Sequence, residues 1–166
     1  ITSVKFSPDG RRIVTGSLDG TARIWEGDDG KVAAVLQGHG YSVARANFSP
    51  DSHSVVTASQ DKTARIWSTD SSQVLATLEG HEAKVGAACF NPDGQRIVTA
   101  SADQVARVWE LTSGKPVLLL RGHEDRVISA AYSPNGQHIV TASQDKSARI
   151  WDAESGKPVA ILQGHS

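Results

Sequence analysis

The sequence predicts an all-β protein built from four tandem copies of one four-stranded antiparallel unit. Three observations carry this reading. Trp25, Trp67, Trp109 and Trp151 stand 42 residues apart, and Gly-His recurs on the same step at 38/39, 80/81, 122/123 and 164/165. Turn-forming clusters cut each copy into apolar pieces of strand length, each too short for a stable helix. Those pieces are rich in Val, Ile, Thr and Trp, which suit a pleated, half-buried surface.

The register holds along the chain without insertion. "SPDG" (7–10), "SPDS" (49–52), "NPDG" (91–94) and "SPNG" (133–136) keep it, as do Asp19, Asp61, Asp103 and Asp145. In the last copy the first strand is "RVISAAYS", ended by a Pro-Asn-Gly turn in which Pro supplies φ near −65° and Gly a positive φ. "QHIVTAS" follows as the second strand, with Ile139 and Thr141 on one face and Val140 and Ala142 on the other. "SARIW" comes after the "QDK" turn as the third strand, and "PVAILQ" after "AESGK" as the fourth.

The first strand breaks strict alternation. Its apolar column at Val43, Val85 and Val127 is out of phase with Phe48, Phe90 and Tyr132, and a bulge near the strand start repairs the phase. Small residues such as Ala46, Gly86, Ala88 and Ala130 suit a strand crowded near an axis. A meander repeated in tandem cannot bury both faces alone and must stack on its neighbours, which is the construction of a propeller.

Composition narrows the function classes. The 166 residues are 39% hydrophobic and 21% charged, ordinary for a globular chain. Its 17 basic and 18 acidic side chains are interspersed, which argues against a nucleic-acid partner. No apolar run approaches the roughly 20 residues of a membrane span, and no leader pattern is present, so no membrane partner is expected. Cys89 is the single cysteine and reads as a small buried hydrophobe in a reduced, cytoplasmic setting. The chain contains no Met even at residue 1, which suggests an excised stretch of something longer.

The Gly-His pairs, "FSPDG" (6–10), "IVTAS" (139–143) and "ARIWD" (148–152) resemble the WD40 repeat, and the resemblance covers essentially the whole chain. The Trp-Asp pair itself survives only as Trp151-Asp152; the other copies read Trp25-Glu26, Trp67-Ser68 and Trp109-Glu110. The family implies a β-propeller whose blades run from inner to outer strand, here blades 1–39, 40–81, 82–123 and 124–166.

The resemblance also implies a structural hydrogen-bond network joining the Gly-His histidine, a Ser or Thr of the second strand, the turn Asp and the third-strand Trp. Carried over by position, His39 joins Ser59, Asp61 and Trp67; His81 joins Ser101, Asp103 and Trp109; His123 joins Ser143, Asp145 and Trp151. The buried indole needs an acceptor, a hydroxyl can accept and donate onward, and an ionised Asp can take both imidazole and backbone N–H groups. Ser143, His123 and Asp145 are also the parts of a hydrolytic triad. A hydrolase needs one triad, whereas this set recurs in each full copy beside a Trp that buries the Ser, so no catalytic residue is expected. Equal spacing around a ring holds the histidines apart, so no metal and no cofactor are expected either. The recurrent Arg23, Arg65, Arg107 and Arg149 read as packed stems with solvated heads.

Four blades make half of the ring the resemblance implies. Ser17, Asp19 and Trp25 lack a preceding Gly-His, while His165 is one histidine too many. Head-to-tail association of two copies lets His165 of each complete the first blade of the other, which predicts a homodimer closed as an eight-bladed propeller. Further blades in a longer parent chain are the competing explanation.

Two functions follow. The first, which the resemblance implies, is a non-catalytic scaffold for protein–protein interaction, binding another protein or peptide on the loop face that holds Leu18, Tyr41, Gln60, Lys84, Ala102, Arg126 and Gln144. Tyr41 and Arg126 are the strongest anchors by residue type. The second is a structural self-assembly module, engineered or recently amplified, without an external partner. "QDKTARIW" and "QDKSARIW" show how alike the copies are.

Overall fold

Each stretch between turn clusters forms a strand, because alternating apolar side chains give it one face to bury and the turns bring the next strand back beside it. The computed structural model describes residues 1–164. The first sheet holds β1 (Ser3–Phe6), β2 (Arg12–Gly16), β3 (Thr21–Glu26) and β4 (Val32–Gln37). The second holds β5 (Val43–Phe48), β6 (Ser54–Ser59), β7 (Ala64–Ser68) and β8 (Val74–Leu78). The third holds β9 (Val85–Phe90), β10 (Arg96–Ser101), β11 (Ala106–Glu110) and β12 (Pro116–Leu120). The fourth holds β13 (Val127–Tyr132), β14 (His138–Ser143), β15 (Ser147–Asp152) and β16 (Pro158–Gln163). Every sheet is an antiparallel meander in chain order, and among the described residues no helix is long and apolar enough to cross a membrane.

The first strands of the second, third and fourth sheets carry the bulge. Val43 pairs Ser59 while Arg45 pairs Ala58, so Ala44 is the extra residue; Gly86 and Ile128 hold that place in the next two sheets. A second shift, which the alternation pattern does not announce, lies in the outer pair of all four sheets, beside Trp25, Trp67, Trp109 and Trp151.

The first strands of successive sheets abut, with β5 on β1 and β2, β9 on β5 and β6, and β13 on β9 and β10. Polar side chains stitch this inner layer: Asn47 Nδ2 donates to the Ala88 carbonyl at 2.7 Å. Cys89 lies opposite the Ala130 carbonyl, and burial pushes its thiol pKa up to about 11.

Three apolar cores lie between the sheets. Val14, Ala22, Ile24 and Leu36 of the first meet Val43, Ala46, Phe48, Val55 and Trp67 of the second. Val56, Ala58, Ile66 and Leu78 meet Val85, Ala88, Phe90, Ile97 and Trp109, and the third joint repeats the pattern with Ile139 and Trp151. Among the described residues no strand of the first sheet packs closely on a strand of the fourth, and the sheets form an open arc.

Candidate functional site

The second and third strands of each sheet are joined by a turn whose Asp organises its own backbone. Asp61 Oδ1 accepts the amide two residues on, Thr63 N, at 3.0 Å; Asp103 accepts Val105 N at 3.1 Å and Asp145 accepts Ser147 N at 2.9 Å. The residue between is left-handed, with φ of 73° at Lys62, 71° at Gln104 and 67° at Lys146. Gly20 takes that position in the first sheet at φ 85°.

Onto this turn the loop leaving the previous sheet lays its histidine. Nδ1 of His39, His81 and His123 lies 2.7, 2.8 and 2.7 Å from Oδ2 of Asp61, Asp103 and Asp145. The same Oδ2 accepts the following amide, Gly40, Glu82 or Glu124, at 3.1 Å. Nε2 meets the hydroxyl of Thr57, Thr99 or Thr141 at 2.7, 2.7 and 2.8 Å. That hydroxyl accepts the indole N–H of Trp67, Trp109 or Trp151 at 2.8 Å.

The hydroxyl in the network is therefore threonine, two residues before the serine that the motif carried over. Ser59, Ser101 and Ser143 instead donate to the carbonyls of Tyr41, Ala83 and Asp125 at 3.1, 3.1 and 3.0 Å, and accept the turn Asp amide at 3.1 Å. Register explains the exchange. Trp109 pairs Ile97 and Arg107 pairs Thr99, so the indole lies over the Ile97–Thr99 face, while Ser101 sits on the last rung beside Val85. A threonine at 15, 57, 99 and 141 in strict period was the available signal.

The first sheet differs. Trp25 donates to Thr15 at 2.9 Å, Asp19 accepts Thr21 N at 2.9 Å, and Ser17 Oγ faces only the Asp19 amide at 3.3 Å. No described residue brings an imidazole to this set; His165 lies outside the described residues.

The proton inventory is determined by these contacts. An ionised Asp needs the imidazole proton on Nδ1, which leaves Nε2 to accept the threonine O–H and the threonine oxygen to accept the indole. Burial agrees with a neutral ring, lowering His81 to about 4 and shifting His39 the same way against the pull of Asp61. Burial works against ionised Asp103, but hydrogen bonds from His81 and Arg107 outweigh it and hold the carboxyl at about 2. Asp61 likewise sits at about 2, with burial offset by Thr63 and His39. In the same way Ser147 and His123 outweigh the burial of Asp145 and hold it far below the usual carboxylate range.

A Trp-hydroxyl-His-Asp chain repeated at a constant step, each link buried between four-stranded meanders, is the internal signature of one repeat class. The WD40 family profile, described as WD domain, G-beta repeat, matches residues 1–26, 30–68, 72–110 and 114–152. The chain belongs to the WD40-repeat family. Human WD repeat-containing protein 86 is 56% identical over 39 residues, 24% of this chain and 10% of the relative. The General transcriptional corepressor TUP1 of Saccharomyces cerevisiae is 49% identical over 39 residues, 24% of this chain and 6% of the relative. The chain thus spans a small part of the curated relatives it matches.

The loop face of these WD40 sheets carries exposed side chains. Tyr41 and Leu18 are 68% and 71% exposed, on a loop and a turn that touch through Gly20, where a Cβ would lie 3.3 Å from the Tyr41 carbonyl. Lys84, Ala102, Arg126 and Gln144 share a hollow of about 140 Å³ between the third and fourth sheets. Backbone bonds set that grouping: Ala102 N donates to Lys84 O, and Gln144 N to Arg126 O, both at 3.0 Å. Gln60 repeats the bond to Ser42 O at 3.0 Å but does not line this hollow.

The solvated-head expectation fails for Arg107, which is buried and donates to Asp103 Oδ2 at 2.6 Å. A charged donor on an already hydrogen-bonded carboxylate explains why its head turns inward. Arg65 and Arg149 are half-buried and lie against Gly38 and Gly122, where a Cβ would crowd the guanidinium. No group of three His, Cys, Asp or Glu side chains that could hold a metal occurs among the described residues.

Proposed function

We propose that this WD40 chain is a non-catalytic protein-interaction scaffold, offering its loop face to another protein or peptide and associating with itself through its end sheets. The observation that carries the loop-face reading is the placement of Tyr41, Lys84 and Arg126 as exposed side chains on loops locked from beneath by buried His–Asp pairs, with exposed Leu18 on the turn beside Tyr41. Aromatic and Arg anchors on a rigid base lose little freedom on binding. The reading carries a cytoplasmic location with it, in which the lone thiol of Cys89 stays reduced.

The hydrolase alternative needs Ser143 against His123. Ser143 donates to the Asp125 carbonyl at 3.0 Å, and both nitrogens of His123 are taken by Asp145 and Thr141. In blade terms, His165 of one copy completes Thr15, Asp19 and Trp25 of another, with Ser17 supporting the turn.

The test is affinity capture from a source lysate with the native chain and a Tyr41→Ala/Arg126→Ala variant of equal thermal stability. Proteins held by the first and released by the second support the scaffold. Capture of the chain alone by both supports the second reading, a self-assembly module, which the near-identity of "QDKTARIW" and "QDKSARIW" favours.

A further inference from the structure

The three internal joints bring together the same two surfaces. One is the face of Val14, Ala22, Ile24 and Leu36; the other is the opposite face of the next sheet, with Val43, Ala46, Phe48 and Trp67. At the two ends of the arc each surface stands open. Val14, Val56 and Val98 are 0% exposed, but Val140 in the same register is 40% exposed. Leu36, Leu78 and Leu120 are 0% exposed, but Leu162 is 50% exposed. At the other end Val4 and Phe6 are 62% and 65% exposed, where Ala46 and Phe48 are buried.

Detail within the joints says what each open face is shaped to take. Gly38, Gly80 and Gly122 each follow the outer strand of one sheet and carry the indole rim of the next; a Cβ there would lie 3.3, 3.7 and 3.6 Å from Cη2 of Trp67, Trp109 and Trp151. Gly164 holds the same place after β16, and no described atom comes within 4 Å of that position. Beside it Ala142, Ala148 and Leu162 line an apolar hollow of about 630 Å³. Trp25 is the one indole without such a glycine, and it is only half-buried.

The polar stitching is matched as well. Ser3 Oγ accepts the Ala46 amide at 3.1 Å across the first joint. Ser129 occupies the register position of Ser3 on β13, and Val4 occupies that of Ala46 on β1.

We infer that the open face of the fourth sheet receives the open face of the first sheet of a second copy of this chain, with Trp25 of that copy seated on Gly164. This rests on the self-association in the proposed function and names its surface. The joint pairs two different faces, so it either closes or runs on as a fibre. Whole copies add sheets in fours; two copies make eight, the upper end of the roughly 4–8 blades typical of propellers, and three overshoot it. The second joint then repeats the first, and the pair is closed.

Native mass measurement and light scattering on the chain, alone and mixed, test this. The native chain at micromolar concentration is expected at twice its 17.6 kDa mass. Leu162→Glu and Phe6→Glu each spoil one face, and each alone is expected to pair at least about 100-fold more weakly. Mixed in equal amounts they regain one intact joint and form a mixed pair, which a joint between two identical faces does not allow. Both side chains lie outside the internal cores, so each variant keeps the native dilute melting curve. Should either misfold, dilution of the native chain still decides: its Trp emission shifts as pairs dissociate, and Trp25→Phe removes that shift. A native chain that stays single, unchanged pairing of either variant, or growth to three or more copies overturns the inference. Tyr41→Ala leaves pairing intact, so loss of loop-face binding is read separately.

Discussion

The first and third sheets carry the same indole–hydroxyl bond, Trp25 to Thr15 at 2.9 Å and Trp109 to Thr99 at 2.8 Å, yet their surroundings differ throughout. Trp109 is buried, and Thr99 goes on to His81 and Asp103. Trp25 is half-buried, no described imidazole reaches Thr15, and Asp19 has Arg23 only at 3.9 Å. The difference shows that the lock belongs to a joint rather than to a repeat. The strand pair supplies Trp, Thr and Asp, but the histidine arrives on the loop that leaves the sheet before.

Removing the hydroxyl should break this contrast most strongly. Thr99→Val keeps the shape and strands two dry partners, the Trp109 N–H and His81 Nε2, at roughly 1–3 kcal/mol each, so a loss of about 3 kcal/mol is expected. In the single chain Thr15→Val strands one half-exposed indole that water can reach, and about 1 kcal/mol is expected. Ser101→Ala removes the bond to the Ala83 carbonyl and the weaker support of the Asp103 amide but leaves the Trp–Thr–His–Asp chain whole, about 1–2 kcal/mol. Urea unfolding measures all three; a Ser101→Ala loss equal to that of Thr99→Val would return the serine to the centre of the network.

Acid should separate the same two regions. His81 is held neutral with its pKa lowered to about 4, below the ordinary value of 6.5. The unfolded chain therefore binds a proton that the folded chain refuses, and stability is complete above pH 6.5 and falls as pH drops toward 4. At pH 5 the loss from His81 is about 2 kcal/mol. His39 adds to it in the same direction. Below this window Asp61 and Asp103, with carboxyls at about 2, lose their own contribution as pH falls from the ordinary 3.8 through about 2. In the single chain the first sheet, with no described histidine, contributes nothing in the pH 6.5 to 4 window. Hydrogen exchange at pH 7 and 5, on the chain held single by Leu162→Glu, is expected to show protection falling at the β10–β11 turn and holding at the β2–β3 turn; equal loss at both would put the sensitivity elsewhere.

How much of this can be read from residues alone follows from what each feature depends on. The strands and the bulge at Ala44, Gly86 and Ile128 depend on local alternation, and the sequence displays it. The choice between Thr99 and Ser101 does not: both are small hydroxyls of the same parity, and only the rung on which the indole lands tells them apart. The inward turn of Arg107 is also silent, because Arg23, Arg65 and Arg149 share its position without sharing its burial. Which apolar positions stand open at the ends depends on neighbours rather than on the repeat, since Val98 and Val140 are the same residue in the same register.

The smallest expected effect sharpens the comparison at the turn itself. Gly20 and Gln104 occupy one left-handed position at φ 85° and 71°, and only the first is a glycine. A side chain in that region costs about 1–2 kcal/mol locally, while glycine gives back up to about 1 kcal/mol through the freedom of the unfolded chain. Gln104 is exposed and its side chain takes no part in the lock, since the turn is held by Asp103 and its backbone partners. Gln104→Gly is therefore expected to stabilise the chain by about 0.5 kcal/mol. Gly20→Ala should act the other way and more strongly, about 1–2 kcal/mol, because its Cβ meets the Tyr41 carbonyl at 3.3 Å as well as the wrong φ. Thermal melts of the two variants read the pair directly. Destabilisation by Gln104→Gly would mean that the glutamine side chain holds the third-sheet turn, and that the two turns differ in more than their histidine.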